Sequence, residues 1–298
     1  MKKNKNKNKN LPLVSIILNC YNADKFLKKS INSVVAQSYQ NWELIIFDNF
    51  SNDNTKLEVL KFKKIKKIRY FKSKKLFNLY HARNLAIEKA KGSLITFLDA
   101  DDWWLKDKLK LQVRYLEQNK DSNIVYSNLF LFYEKRNKIK LFSKKNLYNG
   151  NITQSLLDDF KMPILTTMIR KKIFSKNKFD KKYNIIGDFD LFIRVSLKEK
   201  IYSIQEPLAY YRIHESNMTT KKINLNIKEL ERWISKNRKN HKFKNYNFSN
   251  IKKLIRTLKV KNNFISGNKI KAIISLFKKP FNPNNLKFLL FLFLFKKY

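Results

Sequence analysis

Short apolar runs alternate with helical periodicity along the first hundred residues. LVSIIL at 13–18 is uninterrupted and rich in β-branched residues, which predicts a buried strand. From Asp24, read as an N-cap, Leu27, Ile31, Val34 and Val35 make one apolar helical face. WELIIFD predicts a second strand ending at Asp48, and the SNDNT after it reads as a polar loop. A helix over 55–66 and a strand in KIRYF follow. NLYHARNLAIEKAKG places Leu79, Ala82, Leu85, Ala86 and Ala90 on one side and closes at Gly92, read as a C-cap glycine. SLITFLD predicts a fourth strand. Strands alternating with helices of about a dozen residues imply an α/β fold, a mostly parallel sheet with helices on both faces. Ligands of such sheets bind beyond the carboxyl ends of the strands, near the topological switch point. NCYN, Asp48 and Asp99 fall at those ends.

Composition narrows the classes. The 298 residues are 43% hydrophobic and 14% aromatic, enough for one substantial core and an appendage. Only four glycines occur, Gly92, Gly150, Gly187 and Gly267, so neither a dinucleotide fingerprint nor a P-loop can be assembled. One cysteine, Cys20, precludes an intrachain disulfide, and the histidines His81, His214 and His241 lack zinc-ligand spacing. The formal net charge of +42 suits an anionic partner, a membrane surface or nucleic acid. It also suits plain codon bias, since Lys, Asn, Ile and Phe are all plentiful. No Asp or Glu occurs from Arg232 to Tyr298, which sets a domain boundary near residue 220.

The sharpest local question is ITFLDADDWW, where Asp99, Asp101 and Asp102 crowd the end of a core strand. Asp102 reads as the N-cap of a helix carrying Leu105, Leu109, Val113 and Leu116. Capping explains one aspartate and leaves two. A divalent cation shared with phosphate oxygens explains those, because Mg²⁺ and Mn²⁺ favour one or two carboxylates plus substrate phosphates. Farther on, Asp188 in GDFDLFIRVS reads as the N-cap of a helix with Asp190 and Arg194 paired at i,i+4, a role compatible with catalysis.

VSIILNCYN, LIIFDNFSNDNT, ARNLAI and GSLITFLDADDWW, in that order, resemble the nucleotide-binding half of family 2 glycosyltransferases. FDKKYNIIGDFDLFIRVS and EPLAYYRIHESN resemble that family's acceptor-side elements, so the resemblance spans Leu13 to Asn217. It implies a GT-A fold and inverting transfer of a sugar from a nucleoside diphosphate, using Mn²⁺ or Mg²⁺. It implies that Asn19 and Tyr21 line a uracil pocket, that Asp48 accepts a hydrogen bond from the base, and that Arg83 lies near the nucleotide. By the same resemblance Asp99 contacts ribose or metal, Asp101 is the main metal ligand, and Asp188 is the general base. Arg212 and His214 approach the diphosphate or metal, with Ser216 or Asn217 beside them. The chain departs from the pattern at Asn49, where many relatives carry a second aspartate in the nucleotide site. It departs again at Gly187, which replaces the usual Glu.

The domains that follow are a disordered basic tail (1–10), a GT-A domain (11–220) and a basic helical region (221–298). TTMIR at 166–170 is expected beside the acceptor cleft. LKFLLFLFLFKKY closes the chain with an apolar stretch, 288–295, far shorter than a span and flanked by lysines. It suits an interfacial helix on anionic lipid, or a helix packed on the catalytic domain. The N-terminus lacks a signal-peptide pattern, which places the protein in the cytoplasm or on the inner face of the membrane. The partners implied are a UDP-sugar and a glycan or lipid-linked acceptor, as in surface-polysaccharide or lipopolysaccharide synthesis, and not a specific nucleic acid. The competing class is a basic membrane- or nucleic-acid-binding protein without transferase activity, which would have no need of Asp101 or Asp188.

Overall fold

The structure is a computed structural model and describes residues 11–215, 217 and 222–268. The lysine–asparagine tract, Ser216 and the apolar segment 288–295 therefore lie outside the described residues. The chain divides into two compact units, 1–217 and 218–298.

The first unit begins with β1 (Val14–Cys20), α1 (Asp24–Val35), β2 (Trp42–Asp48), α2 (Thr55–Leu60), β3 (Ile68–Lys72), α3 (Leu79–Glu88) and β4 (Leu94–Phe97). It continues with β5 (Trp103–Trp104), α4 (Lys108–Gln118), β6 (Ile124–Tyr133), β7 (Lys138–Leu141) and α5 (Thr153–Asp158). It closes with β8 (Met168–Arg170), α6 (Gly187–Ser196) and β9 (Ile201–Ile213). The strands form one sheet in the order β3-β2-β1-β4-β8-β6-β9-β5, with β7 on β6.

β3, β2, β1 and β4 pair in parallel. Every residue of β1, β2 and β4 is buried, as expected of parallel strands covered on both faces. Val14, Ile16, Leu18 and Cys20 pack with Leu27, Ile31 and Val34 of α1 and Leu109, Val113 and Leu116 of α4. Elsewhere in the unit Phe97 meets Phe174 and Phe179 edge-on. The chain runs from β1 outward to β3 and then returns to β4 on the other side of β1. That reversal is the switch point, and Asn19, Tyr21 and Asp99 lie at its rim.

Beyond β4 the sheet is mixed. β8 runs antiparallel to both β4 and β6, and β5 is antiparallel to β9. Several local expectations change here. Asp102 caps no helix, because Trp103 and Trp104 form a strand against Tyr210 and Ala209, and α4 starts only after Asp107. TTMIR is interior, with Thr166 and Thr167 fully buried and β8 wedged between β4 and β6, not lining a cleft. α1 starts with Asp24 inside its first turn and Ala23 as the flanking residue, and α2 ends at Leu60. Gly92 lies past the end of α3, and a Cβ there would fall 2.4 Å from the Leu13 carbonyl, so it permits close approach to β1 rather than capping. Asp188 is the second residue of α6, and Asp190 pairs with Arg194 at 2.8 Å.

In the second unit α7 (Ile223–Arg238) and α8 (Ser249–Ile265) enclose Trp233, fully buried against Phe243 and Phe248 with ring centroids 5.6 Å away in each case. Lys259 reaches Glu231 at 2.6 Å.

Candidate active site

The three aspartates after β4 have three different employments. Asp99 receives the Arg83 guanidinium on Oδ1. Asp101 Oδ2 lies 2.8 Å from His214 Nε2. Asp102, 1% exposed, accepts the backbone N–H of Arg212 on Oδ1 at 2.8 Å, while its buried Oδ2 has no hydrogen-bond partner among the described residues. Arg212 also donates from Nε to the Asp101 carbonyl at 2.9 Å and from Nη1 to Glu134 at 3.3 Å. The Ser30 hydroxyl sits 2.7 Å from the Ala100 carbonyl and 2.6 Å from that of Asp102, so α1 holds the turn from the other side. The end of β9 and the acidic turn are thus locked together, and two guanidinium groups offset the crowded carboxylates.

Burial sets the electrostatics of this turn. It pushes the Asp99 carboxyl above its ordinary range, with Arg83 pulling it down and Asp101 adding to the rise. It pushes Asp102 far higher, helped by Asp101 and Asp99. The Arg212 guanidinium lies over the rings of Phe26, at 4.4 Å, and Trp103, at 4.9 Å, which fixes a positive charge beside the turn.

At the other end of the switch point, Asn19 is 9% exposed and, among the described residues, neither atom of its amide has a partner. Tyr21 is half exposed. Asp48 is fully buried, with the Ser51 N–H on Oδ1 at 2.8 Å and the Tyr70 hydroxyl on Oδ2 at 2.5 Å. Asn49 donates to the Phe77 carbonyl at 2.8 Å and accepts its N–H at 3.0 Å. Asp48 and Asn49 therefore order the loops that follow β2, while the Asn19 amide keeps no partner among the described residues and Tyr21 stands half exposed. Phe50, which sequence reasoning passed over, stands half exposed at φ +73°, a conformation that favours glycine. Its only signal was its place between a strand end and a polar loop.

Asp188 lies in the first turn of α6, where its Oδ1 accepts the Phe189 N–H at 2.8 Å and sits 3.1 Å from the Tyr80 hydroxyl. Burial raises its carboxyl, opposed by Arg83, the Phe189 N–H and Tyr80. Arg83, 3% exposed, is the charge that Asp99 and Asp188 share.

Asp101 Oδ2 and His214 Nε2, 2.8 Å apart, are in hydrogen-bond contact with each other, and a hard divalent ion would take the carboxylate more readily than the imidazole. Among the described residues no three His, Cys, Asp or Glu side chains converge. The protein thus supplies few ligands of its own to such an ion, whose other positions would go to phosphate oxygens and water.

A parallel half-sheet that becomes mixed, with an acidic turn at its switch point, is the GT-A arrangement of glycosyltransferases. Residues 15–199 match the family Glycosyl transferase family 2, and the chain belongs to that family. The Escherichia coli protein named UDP-Glc:alpha-D-GlcNAc-diphosphoundecaprenol beta-1,3-glucosyltransferase WfgD is 32% identical over 222 residues, 74% of this chain and 83% of its own. TuaG of Bacillus subtilis, a putative teichuronic acid biosynthesis glycosyltransferase by name, is 28% identical over 71% of this chain and 83% of its own. A Rickettsia felis glycosyltransferase is 32% identical over 67% of this chain, which spans only 33% of that relative's length. Among solved structures, the Pyrobaculum calidifontis mannosyltransferase PcManGT, in complex with GDP-Man and Mn²⁺, superposes with a TM-score of 0.62 at 14% identity, covering 96% of this chain and 81% of that one. Staphylococcus aureus TarS 1–349 gives a TM-score of 0.58 at 15% identity, with 88% of each chain covered. These likenesses establish the fold.

Proposed function

We propose that the chain transfers a sugar, with inversion, from a UDP-sugar to a hydroxyl of a glycan or lipid-linked acceptor. The observation that carries this reading is the clamped trio of Asp101, His214 and Arg212, which collects a carboxylate, an imidazole and a fixed cation at the switch point. UDP is favoured as the donor's nucleotide by the WfgD name and by the TarS complexes with UDP and UDP-GlcNAc. A lipid-linked acceptor is favoured by the WfgD name alone.

Asp101 and His214 would hold Mn²⁺ or Mg²⁺, which when bound neutralises charge on the departing diphosphate. Arg212 adds a positive charge that needs no reorganisation, since Glu134 and the Asp101 carbonyl already hold it. Arg83 pairs with Asp99 and opposes the rise that burial gives its carboxyl, with Asp99 turned to the ribose. Asn19 offers an amide, and Tyr21 and Phe50 offer rings, to the base. Asp188 takes the proton of the acceptor hydroxyl on Oδ2, because Oδ1 already carries the Tyr80 and Phe189 contacts. A hydrolase would instead need two carboxylates flanking the glycosidic bond.

Among the described residues no helix is long and apolar enough to cross a membrane. The lysine-flanked apolar stretch at 288–295 would dock the protein from the cytoplasmic side on anionic lipid, where a lipid-linked acceptor is presented.

The test is turnover of a panel of UDP-sugars by the purified chain, with and without Mn²⁺. Asp101→Ala is expected to lose metal-dependent donor binding. Asp188→Asn is expected to bind donor as the parent does and to lose turnover by about a hundredfold or more. Full turnover by either variant would overturn the assignment of that residue.

A further inference from the structure

Gly187 has no room for a side chain. A Cβ built there would lie 2.4, 2.5 and 2.6 Å from Cδ2, Cγ and Cε2 of the Tyr80 ring. That ring is 2% exposed and stacks on Phe179 at 5.4 Å. Its hydroxyl lies 2.8 Å from the Ile185 carbonyl and 3.1 Å from Asp188 Oδ1. The rest of α3 grips the same segment. Asn84 exchanges two hydrogen bonds with the Phe179 backbone, at 2.9 and 3.1 Å, and the Asn78 amide donates to the Lys181 carbonyl.

We propose that Tyr80 is the positioning residue for Asp188, and that Gly187 is glycine so that the tyrosine ring can occupy the space beside that carboxylate. The proposal rests on Asp188 being the base, and adds to it a hydrogen-bond donor that favours its ionised form. With Asp188 ionised, the phenol proton points to Oδ1. Once Asp188 has taken the acceptor's proton on Oδ2, Oδ1 becomes a neutral and weaker acceptor, and the phenol can give its proton to the Ile185 carbonyl instead. No heavy atom has to move. Burial keeps the phenol pKa far above its ordinary value, so Tyr80 stays protonated and serves as a hydrogen-bond partner rather than a second base. Arg83 on the same helix and Asp99 on the turn after β4 are the other charged groups that Asp188 feels. The Tyr80 bond to the charged form is the stronger of the two, so its loss disfavours ionisation.

Tyr80→Phe keeps the ring and removes only the hydroxyl. The measurement is the titration of side-chain carboxyl carbons by NMR in the full chain labelled with ¹³C-aspartate, the Asp188 resonance being assigned through Asp188→Asn. The Asp188 midpoint is expected at higher pH in Tyr80→Phe than in the parent. Hydrolysis of UDP-glucose below that midpoint is expected to fall about tenfold, with KM for UDP-glucose unchanged. An unchanged midpoint, or a loss confined to KM or to the melting temperature, would reduce Tyr80 to packing and overturn the proposal. Asp188→Asn separates the two layers. If it still hydrolyses UDP-glucose, the assignment of the base fails. If it is inactive while Tyr80→Phe titrates like the parent, the positioning role fails alone.

Discussion

At the residue scale, the charges of this site are arranged so that each carboxylate answers to a different partner: Asp99 to Arg83, Asp101 to His214, Asp102 to the backbone of Arg212. Phe50 shows the opposite kind of residue, one held in an unfavourable backbone region with its ring in solvent. Replacing it with glycine relieves that strain, so Phe50→Gly is expected to raise stability by about 1 kcal/mol in thermal denaturation and to weaken UDP binding. A melting temperature at or below the parent's would show that the conformation carries no strain. The acidic turn, Asp188 and the YRIH segment were legible in the sequence as ordered motifs, and their meeting is what the structure adds. The burial of Asp48 was not legible, because its partners Tyr70 and Ser51 come from a neighbouring strand and a loop that local pattern does not link. Tyr80 was missed although it stands one helical turn before Arg83 on the same face, the spacing that should have raised the question.

At the scale of elements, the parallel half of the sheet was readable because continuous apolar runs leave strands few alternatives. The antiparallel half was not. Trp103 and Trp104 look like the start of a helix until Tyr210 and Ala209, far downstream, give them a strand partner. Glu43 makes a testable case of such long-range joining. It is 6% exposed and collects Ser15 Oγ from β1, Arg69 from β3 and the Lys91 N–H ahead of β4, each at 2.6 Å. Burial alone would raise its carboxyl, but these donors outweigh it and hold it below the ordinary range of a glutamate. A depressed carboxylate stabilises the fold above its unfolded pKa and loses that contribution as pH falls through the folded value. Glu43→Gln is therefore expected to cost about 1–3 kcal/mol at neutral pH, with the gap to the parent closing below about pH 4. A constant gap across that range in urea titrations would contradict the ionic account.

At the scale of the whole molecule, the acidic turn contrasts with a chain of net charge +42 and a final segment, from Arg232 onward, without a single acid. Surface charge of that sign favours anionic lipid over any solvent-facing partner of like charge. Deleting residues 280–298 is expected to shift the protein from the membrane to the soluble fraction while leaving UDP-sugar hydrolysis intact, and an unchanged membrane fraction would remove the docking idea. The central claim concerns the acidic turn, and calorimetry with UDP-glucose and UDP-GlcNAc tests it most directly. With Mn²⁺ present the parent chain should bind at least one of these donors about tenfold or more tightly than without it, and Asp101→Ala should lose that gain. Equal affinity with and without Mn²⁺ for both donors would contradict the account.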